Sequence, residues 1–304
     1  MNKLSLTLTT ALVCLCLGAL LAPAASALDK QAREAVAAAD WDRVVELVGP
    51  TLQPGADIPA KMLMMQACRA SNRNNSAERQ LDVEPNPTDR VGWLDLADSL
   101  RADYPESPAV LALWGDARYR ARKDKEHSEH AVSESLASVS RAIELDKNFA
   151  FAYKIRGDIY LAEHRNDHAL ADYQKATELA PKVVEARYCL GIAYEKKEQY
   201  EQAIEEYTEA LALSPGFAKA LTFRGAVYRE LDSINQAIED CNAALEADPT
   251  YVMAHFVKAM AYYQADMKQM ATNCFKEFIA SAPPKLARMA RNAQARIMMI
   301  EESM

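Results

Sequence analysis

Along residues 150–283, apolar positions recur at three- and four-residue spacing in blocks of about a dozen residues, parted by short polar stretches. The block from Val184 to Tyr194 runs into the polar turn Lys196, Lys197, Glu198 and Gln199. A second block of the same spacing then extends from Tyr200 to Leu213. This alternation predicts pairs of helices, each pair closed by a proline that cannot donate the next backbone bond. Those prolines, Pro181, Pro215, Pro249 and Pro283, stand 34 residues apart each time.

Other columns keep the same period. Twenty-four residues before each proline stands Gly157, Gly191, Gly225 or Ala259, and three residues later comes Tyr160, Tyr194, Tyr228 or Tyr262. Ala169, Ala203, Ala237 and Ala271 form a third column, and Tyr173, Tyr207, Cys241 and Phe275 a fourth. Ala176, Ala210 and Ala244 form a fifth, which Phe278 completes. Small residues let two helices approach closely, and the fourth column fills the space between them. This ladder resembles the tetratricopeptide repeat family, whose unit is 34 residues long. The resemblance implies an all-α fold, a right-handed α-α superhelix built as a solenoid of helix-turn-helix repeats. Regular repeats are expected near residues 150–183, 184–217, 218–251 and 252–285, within an array covering 105–283.

Upstream, Trp114 and Gly115 match the start of a unit, but Gly115 lies 42 residues before Gly157 rather than 34. The excess of eight is expected in the polar run of residues 123–130, in a turn between helices. Downstream, Leu286, Met289, Ala293, Ile297 and Ile300 make one apolar stripe. It predicts a capping helix within residues 284–304, with Arg288, Arg291 and Arg296 turned outward. Residues 28–104 read as two divergent helical repeats that include a methionine-rich helix at 60–71, broken at 50–59 and by a long loop or linker at 72–89.

Residues 1–27 read as a secretory signal: Lys3, an apolar run at 12–21, and Ala25, Ser26 and Ala27 before the cleavage point. An exported chain in a bacterial envelope is expected, the alternative being an uncleaved anchor in the inner membrane. The net charge is −8, and removing residues 1–27 takes away only Lys3, so the remainder is more acidic still. That balance disfavours nucleic acid and anionic lipid as partners. Cys68, Cys189, Cys241 and Cys274 lie within apolar helical patterns and read as buried small hydrophobes. Cys241 with Cys274 is the one pair placed to be tested for a disulfide, on second helices of adjacent repeats.

The resemblance also places a ligand face on the first helix of each unit, at its second, fifth, ninth and twelfth positions. Those are Phe151, Lys154, Asp158 and Leu161, followed by Glu185, Tyr188, Ile192 and Glu195. The next units contribute Lys219, Thr222, Ala226 and Arg229, then Met253, Phe256, Met260 and Tyr263. Aromatic and methionine side chains with a few charges suit a peptide or helix of another protein. The alternative for Phe256, Met260 and Tyr263 is burial beneath the capping helix. Chaperone-binding members hold a carboxylate with lysine and asparagine, whereas here Asp158 follows Lys154, so that ligand is not expected. His127, His130, His164 and His168 fall in polar turns, as a solvated edge or, less readily, as ligands for a transition metal. No zinc-protease, nucleophile-elbow, phosphate-loop or haem-attachment motif occurs, so a non-catalytic scaffold without cofactor is expected.

Overall fold

The computed structural model describes residues 94, 97, 98, 100–102, 104–121 and 125–302. The signal reading, Cys68 and nearly all of the divergent N-terminal repeats lie outside the described residues. The described residues are all-α. In chain order the helices are α1 (Pro108–Arg120), α2 (Lys125–Leu145), α3 (Ala150–Ala162), α4 (Asn166–Leu179), α5 (Val184–Lys196) and α6 (Tyr200–Leu213). They continue with α7 (Ala218–Glu230), α8 (Ile234–Ala247), α9 (Val252–Gln264), α10 (Lys268–Ser281), a 3-10 turn (Pro284–Leu286) and α11 (Ala287–Glu302).

The helix ends follow from the prolines and the turns. α4, α6, α8 and α10 each stop two residues short of their proline, because a residue preceding proline is driven out of the helical region. Ala180, Ser214 and Asp248 accordingly sit at φ −136°, −145° and −142°. The turns inside each pair carry a second signature of the same period. His164, Glu198, Asp232 and Asp266 are left-handed, with φ of 57°, 59°, 58° and 55°. After each of them the next N–H turns back to the carbonyl of the tyrosine column, Arg165 to Tyr160 at 2.8 Å and Gln199 to Tyr194 at 3.0 Å. Ser233 to Tyr228 and Met267 to Tyr262 repeat it at 2.8 and 2.9 Å.

The chain divides into two compact units, one reaching Ala186 and the other starting at Arg187. In the first, α1 packs on α2, α2 on α3 and α3 on α4. Its core joins Leu111, Tyr119, Val139, Ile143, Ile155 and Ile159. Trp114 of α1 is fastened to the residues before it: its indole N–H donates to Asp98 at 2.6 Å, and Arg101 stacks 3.8 Å from the ring. Seven of the eight extra residues do not form a turn. α2 has 21 residues where the other second helices have 14, so the insertion lengthens the helix at its start and takes His127 and His130 into it. Lysine and glutamate are good helix formers, and an exposed helix tolerates a run of them as well as a loop does.

In the second unit, α6 packs on α7, α7 on α8, α8 on α9, α9 on α10 and α10 on α11. Leu286, Ala293, Ile297 and Ile300 are buried, as the capping stripe requires, and Met289 is half-buried. Arg288 and Arg291 face outward, but Arg296 does not: its guanidinium lies over the Tyr263 ring at 5.3 Å. Cation–π attraction to a ring at the end of α9 draws it inward.

Candidate functional site

The small and filler columns meet inside each helix pair. A Cβ added at Gly157 would lie 2.7 Å from the Tyr173 ring, and one at Gly191 2.5 Å from Tyr207. Each ring passes beneath its glycine and brings its hydroxyl to an acid on the first helix. Tyr173 donates to Asp158 at 2.9 Å, and Tyr207 donates to Glu195 at 3.0 Å. Lys154 also donates to Asp158, at 2.6 Å, so these two predicted face residues are paired with one another. Burial pushes the Glu195 carboxyl above the usual carboxylate range, with the Tyr207 hydroxyl opposing that shift. A carboxyl raised in the folded state binds its proton more tightly there, so stability falls as pH climbs through and above the ordinary carboxylate value. Glu195→Gln keeps an acceptor for Tyr207 and removes the charge. It is expected to melt above the parent at pH 7, the difference closing as pH falls toward 4.5. Melting curves across that range measure it.

A second set of contacts ties two of the first helices, α3 and α7, each to two others. Arg156 grips Asp172 through two bonds of 2.7 and 2.8 Å and reaches Ser140 of α2 at 3.2 Å. Sixty-eight residues on, Arg224 grips Asp240 at 2.8 and 2.7 Å and reaches Thr208 of α6 at 3.0 Å. Between them the arginine column holds Leu190, yet Glu206 keeps the acidic position. Arg187, one turn earlier, supplies the cation at 2.9 Å. In the last repeat the column ends in Lys258 and Cys274, and a buried thiol offers no carboxylate to clip. Sequence reading missed this clip, although Arg156 with Arg224 and Asp172 with Asp240 share the ladder's period. Their side chains are largely buried, so Arg224→Met is expected to cost about 2 kcal/mol by stranding Asp240. Arg224→Lys would keep the charge but lose the fork, and chemical denaturation of both variants would show an intermediate loss for lysine.

The predicted ligand face is only partly open. Phe151, half-buried, sits 5.8 Å from Phe149 and packs on the first unit's core. Tyr188, expected on the face, is core: it is 6% exposed and stands edge-on to Phe217 at 5.3 Å and Phe223 at 5.5 Å. Ile192, Thr222 and Met253 are buried as well. The cause for Tyr188 is Phe217, an aromatic residue placed just ahead of the following first helix, which folds over it. Lys219, Ala226, Arg229, Phe256, Met260 and Tyr263 stay half-exposed in the second unit. Arg229 pairs with Glu230 and lies 3.5 Å from the Gln264 amide oxygen. Phe256 leans on Phe275 and Phe278 of α10 at 6.1 and 5.1 Å, whereas Tyr263 is the one that the capping helix reaches, through Arg296.

The histidines are separately engaged. His130 lies 3.3 Å from Glu134, and the His168 ring lies 5.0 Å from Tyr160. His164 holds a left-handed turn position, and the His127 side chain lies outside the described residues. Among the described residues no three His, Cys, Asp or Glu side chains converge as a metal site would need. Cys189, Cys241 and Cys274 are buried, Cys241 and Cys274 are not joined in a disulfide, and burial pushes the Cys241 thiol up to about 12.

Family models describe the same ladder, matching a TPR repeat at residues 157–198 and tetratricopeptide repeats at 184–217 and 218–251. These are tetratricopeptide repeats. Solved structures of similar shape include a tetratricopeptide repeat protein from Parabacteroides merdae ATCC 43184. It has a TM-score of 0.58 and 14% identity over 90% of this chain and 98% of its own. A thermophilic TPR protein in Thermus thermophilus has a TM-score of 0.52 and 18% identity, covering 65% of this chain and 95% of its own. At such identities the likeness to these TPR structures is one of fold. No curated protein matches the chain.

Proposed function

We propose that this TPR chain is an exported, non-catalytic scaffold that holds a peptide or helix of another protein on its first-helix face. The observation that carries this reading is the half-exposed set on α7 and α9: Lys219, Arg229, Phe256, Met260 and Tyr263. Neighbouring positions on the same helices are closed into the core, so this mixture of apolar and cationic side chains is what a partner would meet. A folded helical face loses little conformational freedom when a partner docks, which favours binding. The sequence carries no nucleophile-elbow or phosphate-loop motif and its recurring columns are spent on packing, which suits a scaffold. Export rests on residues 1–27, and an envelope partner follows from it.

Lys219→Glu with Met260→Glu tests the face without touching the buried columns. Affinity capture from the envelope fraction should lose its partner, while the melting midpoint shifts by no more than about 0.5 kcal/mol in stability. Undiminished capture would refute the assignment of this face. Intact mass of the chain recovered from that fraction tests export: a start near Leu28 supports cleavage, and a start at Met1 supports the anchor.

A further inference from the structure

The last turns of α5, α7 and α9 carry polar groups that the packing columns do not use. Glu195, Arg229 and Tyr263 share one position of the 34-residue period, and Lys196, Glu230 and Gln264 share the next. Glu195 is half-buried and accepts the Tyr207 hydroxyl at 3.0 Å. The Tyr207 ring has no exposed surface and lies beneath Gly191, so this donor is fixed in place. Arg229 is held by a different set. Its guanidinium pairs with Glu230 and lies 3.5 Å from the Gln264 amide oxygen. The Gln264 amide in turn donates to the Arg229 carbonyl at 3.2 Å and to Asp232 at 3.0 Å.

Among the described residues, the ionisable groups that act on Glu195 come from three helices. Tyr188 and Lys196 belong to α5, Tyr200 and Tyr207 to α6, and Arg229 and Glu230 to α7. Burial disfavours the Glu195 charge most, and Glu230 adds to that effect. The Tyr207 hydroxyl, Lys196 and Arg229 oppose it. A carboxylate left in such a place is poorly hydrated, so a nearby cation attracts it more strongly than at an open surface. Arg229 is then a cation with two acids to serve.

From this arrangement we infer a proton-operated switch at the end of the first-helix face, in which Glu195 competes with Glu230 and Gln264 for the Arg229 guanidinium. With its proton on, Glu195 is satisfied by the Tyr207 hydroxyl, and Arg229 stays with Glu230 and Gln264. With the proton off, Arg229 turns toward Glu195 and leaves the Gln264 oxygen. Arg229 belongs to the face on which a partner is proposed to dock. That face therefore gains one positive charge as Glu195 takes its proton. This consequence rests on the partner-face reading, whereas the switch itself does not.

Carbon-13 glutamate and nitrogen-15 arginine in the full chain let both ends of the switch be read by NMR, with no ligand present. Between about pH 4 and about pH 8, the Glu195 carboxyl should titrate above its ordinary value of 4.5, and Arg229 Nε should move with the same midpoint. Glu195→Gln identifies the carboxyl signal and should abolish the Arg229 step. Glu230→Gln removes both a like charge and the rival acceptor, so the Glu195 midpoint should fall by at least about 0.5 in pH. Arg229→Met should raise that midpoint by a similar amount. Glu230 is exposed, so its variant keeps the test decisive even where Arg229→Met disturbs the fold. An Arg229 signal that does not follow Glu195, or a Glu195 midpoint unmoved in Glu230→Gln, overturns the proposal. Undiminished capture in Lys219→Glu with Met260→Glu would instead remove the partner face and leave the switch standing.

Discussion

Tyr188→Ala is expected to cost about 3–5 kcal/mol of stability, seen as a lower midpoint in urea followed by circular dichroism. The ring stands edge-on to both Phe217 and Phe223, at 5.3 and 5.5 Å, and lies 6.0 Å from Tyr207. Truncation removes all three aromatic contacts and leaves a void that neighbouring helices fill only in part. Tyr188→Phe keeps the ring and should lose far less. A cost below about 1 kcal/mol for the alanine variant would return Tyr188 to the surface, because exposed residues seldom cost more. The result also bears on function: lost partner capture in Tyr188→Ala would report an unfolded face rather than a missing contact.

The second large effect is expected at Gly191. An exposed helical glycine is improved by almost any side chain, so Gly191→Val would be neutral or stabilising at an open site. Here the added Cβ would lie 2.5 Å from Tyr207, a ring with no exposed surface and packing on every side. Neither helix can retreat without opening the columns above and below. We expect a loss of about 3 kcal/mol, partly restored when Tyr207→Leu is added. Gly216→Ala is the matched control, since its Cβ would find its nearest neighbour, Ala247, at an ordinary 3.7 Å. Equal effects at the two glycines would mean that close approach is not what Gly191 provides.

Much of the fold was legible because a strict period turns single residues into columns. Pro181, Pro215 and Pro249 marked helix ends, Gly157 and Gly191 marked close contacts with Tyr173 and Tyr207, and the stripe from Leu286 to Ile300 marked the cap. What escaped depends on neighbours outside the column. Tyr188 belongs to the expected face by position, but its exposure is decided by Phe217, at the far end of its own repeat, and by Phe223 in the next. The run around Lys125 and Glu126 looked like a turn because polarity does not separate a solvated helix from a loop. Glu198 gave no hint of a left-handed backbone, a conformation usually announced by glycine. Arg187 took over for Leu190 from one turn away, so the clip does not keep to one column of the repeat.

That clip has a mechanical consequence. Arg224 holds its own second helix and the one before it, so α7 cannot lift away without releasing both. The final repeat, with Lys258 opposite Cys274, lacks that arginine clip and has only the His255–Glu277 contact of 3.0 Å across its pair, with α11 as its latch. Peeling under load should therefore begin when α11 lets go. It should advance through α10 and α9, then stall at Arg224, leaving amides of α9 and α10 to exchange with deuterium before those of α7 and α8. The last repeat is the hinge pin of the second unit's unfolding, and the strength of α11 sets how often it is drawn.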